Sequence, residues 1–130
     1  MATRAYSQNN QVSNDKSVVL VTWAGLTFAT TDDGAPISLA AWSEKTFQAF
    51  GTFGASGNVV IEGSNDGTNW SPISNRQGVT PFNLTSSQAI NTSQDRPIWV
   101  RPRVTAGDDT TNVTVTVACH RYNIAEKHNG

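Results

Sequence analysis

The chain has 130 residues, room for one domain and no second independent core. Nine basic residues nearly balance ten acidic ones for a net charge of -1, and charged residues make up only 15%. This excludes a nucleic-acid binder held by a strong basic field and an acidic disordered tail, and abundant Ser, Thr and Asn point to a small β-rich protein.

Residues 1–17 read as a polar arm. Ser7 to Asn10 and Ser13 to Asp15 offer little to bury, so the segment is expected to stay disordered unless a partner holds it. The body, residues 18–121, begins with a β-branched and aromatic run from Val18 to Phe28. It is too short to span a bilayer, which needs about 20 apolar residues. The cluster Thr31-Asp32-Asp33-Gly34 ends it as a turn, and Ile37 to Trp42 is a short apolar strand. Lys45 to Phe53 places Phe47, Ala49, Gly51 and Phe53 at period two; a short helix capped by Ser43 is the alternative there. Val59 to Glu62 leads into Ser64-Asn65-Asp66-Gly67, a hairpin signal, with Asn69 to Ile73 as the return strand. Pro81 to Leu84 and Ala89 to Ile90 are weaker strands.

Ile98 to Val104 alternates clearly, and Pro102 predicts an edge or a bulge because it cannot donate a ladder bond. After a turn at Ala106 to Thr111, Asn112 to Cys119 alternates Val113, Val115, Val117 and Cys119 against Thr114, Thr116 and Ala118. Residues 122–130 form a polar C-terminal tail. The expectation is an all-β antiparallel β-sandwich or jelly roll with an N-terminal arm and a C-terminal tail.

The chemistry of an enzyme is not visible. Cys119 and His120 are adjacent, so on a strand they face opposite ways and form neither a metal site nor a nucleophile–base pair. One cysteine and two histidines give too few ligands for a zinc site, and no cofactor motif is present. The body's aspartates all fall in turn-forming clusters and read as turn chemistry, with a loop calcium site at Asp66 or at Asp108 and Asp109 as the lesser alternative. Gly51, Gly54 and Gly57 lack the strand-loop-helix context of a phosphate loop. A single cysteine forms no intrachain disulfide, which fits folding in a reducing cytoplasm.

Binding is the remaining class. Trp23, Trp42, Trp70 and Trp99 read as core or subunit-interface groups. Trp99 shares a face with Arg101 and Arg103, either as a contact surface or as a solvated face with an arginine stacked on a tryptophan. Arg4 and Tyr6 in the arm, Trp99, Arg101 and Arg103 in the body and Tyr122 in the tail are the candidate partner-contact residues.

Two stretches carry a resemblance. Val60 to Ile73 reads VIEGSNDGTNWSPI; Ile98 to Asp108 reads IWVRPRVTAGD, and Asn112 to Arg121 reads NVTVTVACHR. Their order is similar to small virion structural proteins of tailed bacteriophages, and the first hairpin also resembles discoidin-like carbohydrate-binding sandwiches. The phage resemblance implies a head cement or decoration protein, made in the host cytoplasm and placed on the capsid surface. Its partner would be the major capsid protein, it would form dimers or trimers, and it would need no nucleic acid, membrane, cofactor or metal. A glycan-binding module with Trp70 as its stacking residue, or a tail or neck component, is the alternative. On the cement reading, removing residues 1–17 is expected to weaken capsid binding and leave the body folded.

Overall fold

The computed structural model describes residues 2–10, 17–38, 42–86 and 89–121. They hold twelve strands and no helix. In chain order these are β1 (Thr3–Arg4), β2 (Tyr6–Asn9), β3 (Val18–Thr27), β4 (Asp33–Gly34), β5 (Ile37–Ser38) and β6 (Glu44–Thr52). Then come β7 (Asn58–Ser64), β8 (Ser71–Pro72), β9 (Phe82–Leu84), β10 (Ala89–Thr92), β11 (Trp99–Ala106) and β12 (Asn112–His120).

Two sheets pack face to face as a β-sandwich. One runs β1-β4-β11-β7-β8, with β5 also on β11 and β9 also on β7; the other runs β10-β6-β12-β3-β2. All pairs are antiparallel except β1 on β4. Period-two alternation produces the core. Val19, Val21, Trp23, Phe47, Ala49, Val113, Val115 and Val117 point inward from the second sheet, against Val59, Ile61, Phe82, Leu84, Val100 and Val104 of the first. Full burial of each large apolar side chain stabilises by about 1.5–3 kcal/mol. Phe47 and Phe82 meet edge to face across the sandwich, 5.5 Å between ring centres.

The N-terminal segment departs from expectation. Thr3 and Arg4 pair with Asp33 and Gly34 in the first sheet, and Tyr6 to Asn9 pair with Trp23 to Leu20 in the second. The chain thus changes sheet at Ala5 and laces the two layers together along one side. Its polar residues suit this place, because an edge strand needs backbone partners on one side and tolerates polar side chains on the other. Disorder without a partner is therefore corrected for residues 2–10. Tyr122 and the tail lie outside the described residues.

Glu44–Thr52 is strand, as the period-two reading expects, with Lys45, Phe47 and Ala49 facing inward, and the helix alternative does not form. Two further expectations change. The connection at Asp66-Gly67 is longer than a tight hairpin. Its return strand is only Ser71–Pro72, because the Asp66 carboxylate accepts from the Thr68 and Asn69 amides, both at 2.8 Å, and keeps the loop curled. Pro102 lies in an interior strand, and the bulge falls between Val104 and Ala106. The Val104 amide donates to the Asp32 carbonyl at 2.9 Å. Two residues earlier on the same side, Pro102 falls between the β5 and β4 pairings, where a donor is dispensable.

Lys45 is an inward-facing cation, only 2% exposed, in register with Cys119. Its ammonium donates to the Trp42 carbonyl at 2.9 Å, and burial lowers its pKa. Burial pushes the Cys119 thiol up to about 12, against the opposing pull of Lys45, so this thiol is unreactive at neutral pH.

Candidate interaction surfaces

The outer faces of the two sheets differ in kind. On the first sheet, Trp99, Arg101 and Arg103 do share a face, as the alternation of β11 requires. They do not stand free in solvent. Register places Arg101 opposite Glu62 on β7, and Arg103 opposite Asp33 on β4. Arg101 Nε donates to Glu62 Oε1 at 2.9 Å, and its Nη1 lies 3.2 Å from Asp33 Oδ2. Arg103 Nη1 reaches the other Glu62 oxygen at 3.3 Å. The carboxylates are nearly buried, with side-chain exposures of 3% for Asp33 and 7% for Glu62, so each depends on these cations for compensation.

An arginine is stacked on a tryptophan here, but the tryptophan is Trp70. The Arg101 guanidinium carbon sits 4.2 Å from the centre of its ring. The loop between β7 and β8 delivers Trp70 and also packs against Trp99. Gly67, at φ +77°, is close enough that a side-chain carbon there would lie 3.5 Å from the Trp99 indole nitrogen. The Asp66 carboxyl is held well below the usual range by the Asn69 and Thr68 amides, then by the Asn69 and Ser64 side chains. Trp70 therefore has one ring face occupied by Arg101.

Arg4 and Tyr6 have structural partners. Arg4 Nε donates to Asp32 Oδ2 at 2.7 Å. Asp32 is fully buried. Burial opposes its ionisation, but the Thr30 hydroxyl, the Thr27 amide, Arg4 and the Thr27 hydroxyl outweigh it and hold the carboxyl down to about 2. Thr3 Oγ1 donates to Asp33 at 2.7 Å. Tyr6 meets Trp23 edge to face at 6.1 Å between ring centres, and Trp23 Nε1 donates to the Ala35 carbonyl at 3.0 Å. Gly34 must be glycine, since a side-chain carbon would come within 2.6 Å of both Trp23 and Pro102.

Asp32 combines turn chemistry with an ion pair, and Asp33 is a strand residue in a buried network. The Asp108 carboxylate ties two loops by accepting from the Ala55 amide at 2.7 Å and the Thr110 amide at 2.9 Å. Asp66 and Asp108 thus spend their oxygens on loop closure.

The second sheet's outer face has no comparable network. One row across all five strands reads Ile90, Gln48, Thr116, Thr22, Ser7. The next reads Thr92, Thr46, Ala118, Leu20, Asn9. Phe50 stands opposite Thr114 in a third. Charge enters only at one end, where Glu44 and Val18 flank His120. Phe50 is 41% and Ile90 60% exposed, on the same face of β6 and β10 and diagonal to each other, since Ile90 pairs with Gln48. Composition and alternation hid this face, because its uncharged central rows form only once five strands are assembled in register.

A groove of about 440 Å³ lies beside the β7–β8 loop, lined in part by Asn65, Asn69, Asp95 and Arg96. Three of these already hold structure: Asn65 accepts from the Ile98 amide, Asp95 from the Ser74 amide, and Asn69 donates to Asp66.

The fold and these surfaces define a β-sandwich with one outer face consumed by internal ion pairs and one that the described residues leave uncovered. No family model matches the chain, and no curated protein is significantly similar to it in sequence. Among solved structures it is similar to the SPBc2 prophage-derived protein YomS, with 12% identity, a TM-score of 0.57, and coverage of 78% of this chain and 93% of that one. A family 11 carbohydrate-binding module from Clostridium thermocellum gives a TM-score of 0.29 at 11% identity over 90% of this chain and 82% of that one. The first likeness establishes a shared fold.

Proposed function

We propose that this chain is a non-enzymatic structural protein of a phage virion, acting as a head cement or decoration protein that bridges subunits of the major capsid protein. The observation that carries the reading is the outer face of the five-stranded sheet, uncovered by the described residues and uncharged except at its Glu44 and His120 end, on a sandwich whose fold is similar to that of a prophage-derived protein. A cement protein needs a rigid body with surface to spare for its neighbours. On the opposite side the ionic groups of this body are paired internally and leave the five-stranded face for neighbours. Near-zero net charge avoids self-repulsion at high copy density. Folding in the host cytoplasm and residence on the capsid surface follow from the same reading. For the glycan alternative, Arg101 already occupies one face of the Trp70 ring, which leaves a sugar only the other face to stack on.

The test is the copy number of this protein in purified virions of its source phage, by quantitative mass spectrometry against the major capsid protein. A simple fraction of the capsid count is the expected result. A handful of copies per particle would move it to the tail or neck, and absence from the particle would overturn the structural reading.

A further inference from the structure

We infer that the outer face of the five-stranded sheet is a self-association surface, and that its occupant is a second copy of this chain stacked sheet to sheet about a two-fold axis. The inference rests on the face that carries the virion reading and names one neighbour for it, a second copy, which the purified chain tests apart from the particle.

Size comes first. Five strands at about 4.8 Å spacing, three of nine or ten residues and the two outer ones of four, rising about 3.4 Å per residue, present a face of about 600 Å². A specific interface takes about 1,200–2,000 Å² from the two partners together. Two such faces thus reach the low end of that range.

Chemistry selects the occupant. The central rows of this face, from Ile90 to Ser7 and from Thr92 to Asn9, carry no charge to neutralise an acidic or basic partner, and burying a partner's charge against them would leave that charge unpaired. The matching surface must be equally uncharged, flat and twisted by the same amount, and a second copy satisfies all three. Sheets stack with strands about 30° apart, the geometry already used between the two layers of this sandwich.

Position fixes the contact. Phe50 and Ile90 form an exposed apolar corner at the β6–β10 side, and Ala118 and Leu20 lie across the sheet on β12 and β3. A two-fold axis in the plane between the sheets, near Thr116 and running roughly across the strands, brings Phe50 of one copy towards Ala118 of the other, twice. The opposite face cannot do this, because its arginines and carboxylates are already paired.

The experiment is sedimentation velocity on the full chain over a concentration series, with Thr116→Arg and Phe50→Lys beside it. Thr116→Arg sets two like charges against each other at the axis and is expected to weaken the dimer about tenfold or more. Phe50→Lys removes the apolar corner and is expected to weaken it similarly. Both side chains point outward, so far-UV circular dichroism and the melting temperature should match the parent chain; if one variant misfolds, the other decides. A dimer lost in the folded variants supports the inference. A parent chain that stays monomeric, a dimer that persists in both variants, or a trimer, which two isologous faces cannot build, would overturn it. A monomer whose Phe50→Lys variant alone fails to bind capsids would also overturn it and assign the face to the shell. Loss of the dimer leaves the virion copy number untouched, so the two readings fail separately.

Discussion

The two outer faces are built from the same alternation, yet they solve opposite problems. On the first sheet the outward positions near the centre are mostly ionic or aromatic, Trp99, Arg101, Arg103, Glu62 and Asp33, with Val60 opposite Arg103. Each charge finds its complement on the neighbouring strand, and Trp70 covers Arg101. On the second sheet the corresponding positions are Thr, Ala, Gln and Leu, with Phe50 and Ile90 at one side. An ion-paired face is a poor docking surface, since a partner must compete with bonds already made. An uncharged face costs little to dry and gains from contact. Stability and association are thus assigned to opposite sides of the molecule.

The largest disruption should come from the strands that join the two sides. Deleting residues 2–10 removes one edge from each sheet, strips Arg4 from buried Asp32 and uncovers Trp23. A loss of about 4 kcal/mol or more is expected in urea denaturation. An unchanged midpoint would restore the segment to the status of a free arm.

Breaking the ionic face at its centre comes next. Arg101→Ala leaves Glu62 and Asp33 buried beside fewer cations and should cost about 3 kcal/mol, with no effect on self-association. A loss of assembly with stability intact would reverse the assignment of the two faces.

Asp32 sharpens the comparison through pH. Its folded pKa, about 2, lies below the ordinary 3.8, so ionised Asp32 stabilises the fold above about pH 4. That contribution, about 1–2 kcal/mol, is lost as pH falls from about 4 through 2. Asp32→Asn should be less stable at neutral pH and should lack this acid limb in a melting-temperature series from pH 2 to 6. Parallel acid limbs in the two proteins would assign the effect to other carboxylates.

The smallest expected effect is on the open face. Thr116→Arg should change unfolding free energy by less than about 0.5 kcal/mol when measured on the monomer, because a solvated outward position carries no buried contact. A large loss would mean that this face is part of the core's support.

The long strands were legible in the sequence. β3, β11 and β12 each alternate over enough residues for period two to stand out, and their inward valines are the core. The N-terminal strands were not legible, since Tyr6 to Asn9 owe their conformation to backbone pairing with β3 and carry no apolar pattern. Asp33 read as a turn residue because its partner, Arg101, sits on a strand far along the chain. The same distance hid the stacking of Arg101 on Trp70 in place of Trp99. Of the proposed contact residues, Arg4, Tyr6, Trp99, Arg101 and Arg103 were chosen for residue type. The structure gives them internal partners and leaves open a face of plain threonines that no motif marks.

Hydroxyl-radical footprinting with mass-spectrometric readout, on the full chain from dilute to concentrated solution, tests the division between the faces most directly. Phe50 and Ile90 should lose reactivity as concentration rises, while Trp70 and Trp99 keep theirs. Protection of Trp70 and Trp99, with Phe50 and Ile90 unchanged, would contradict the assignment of association to the uncharged face.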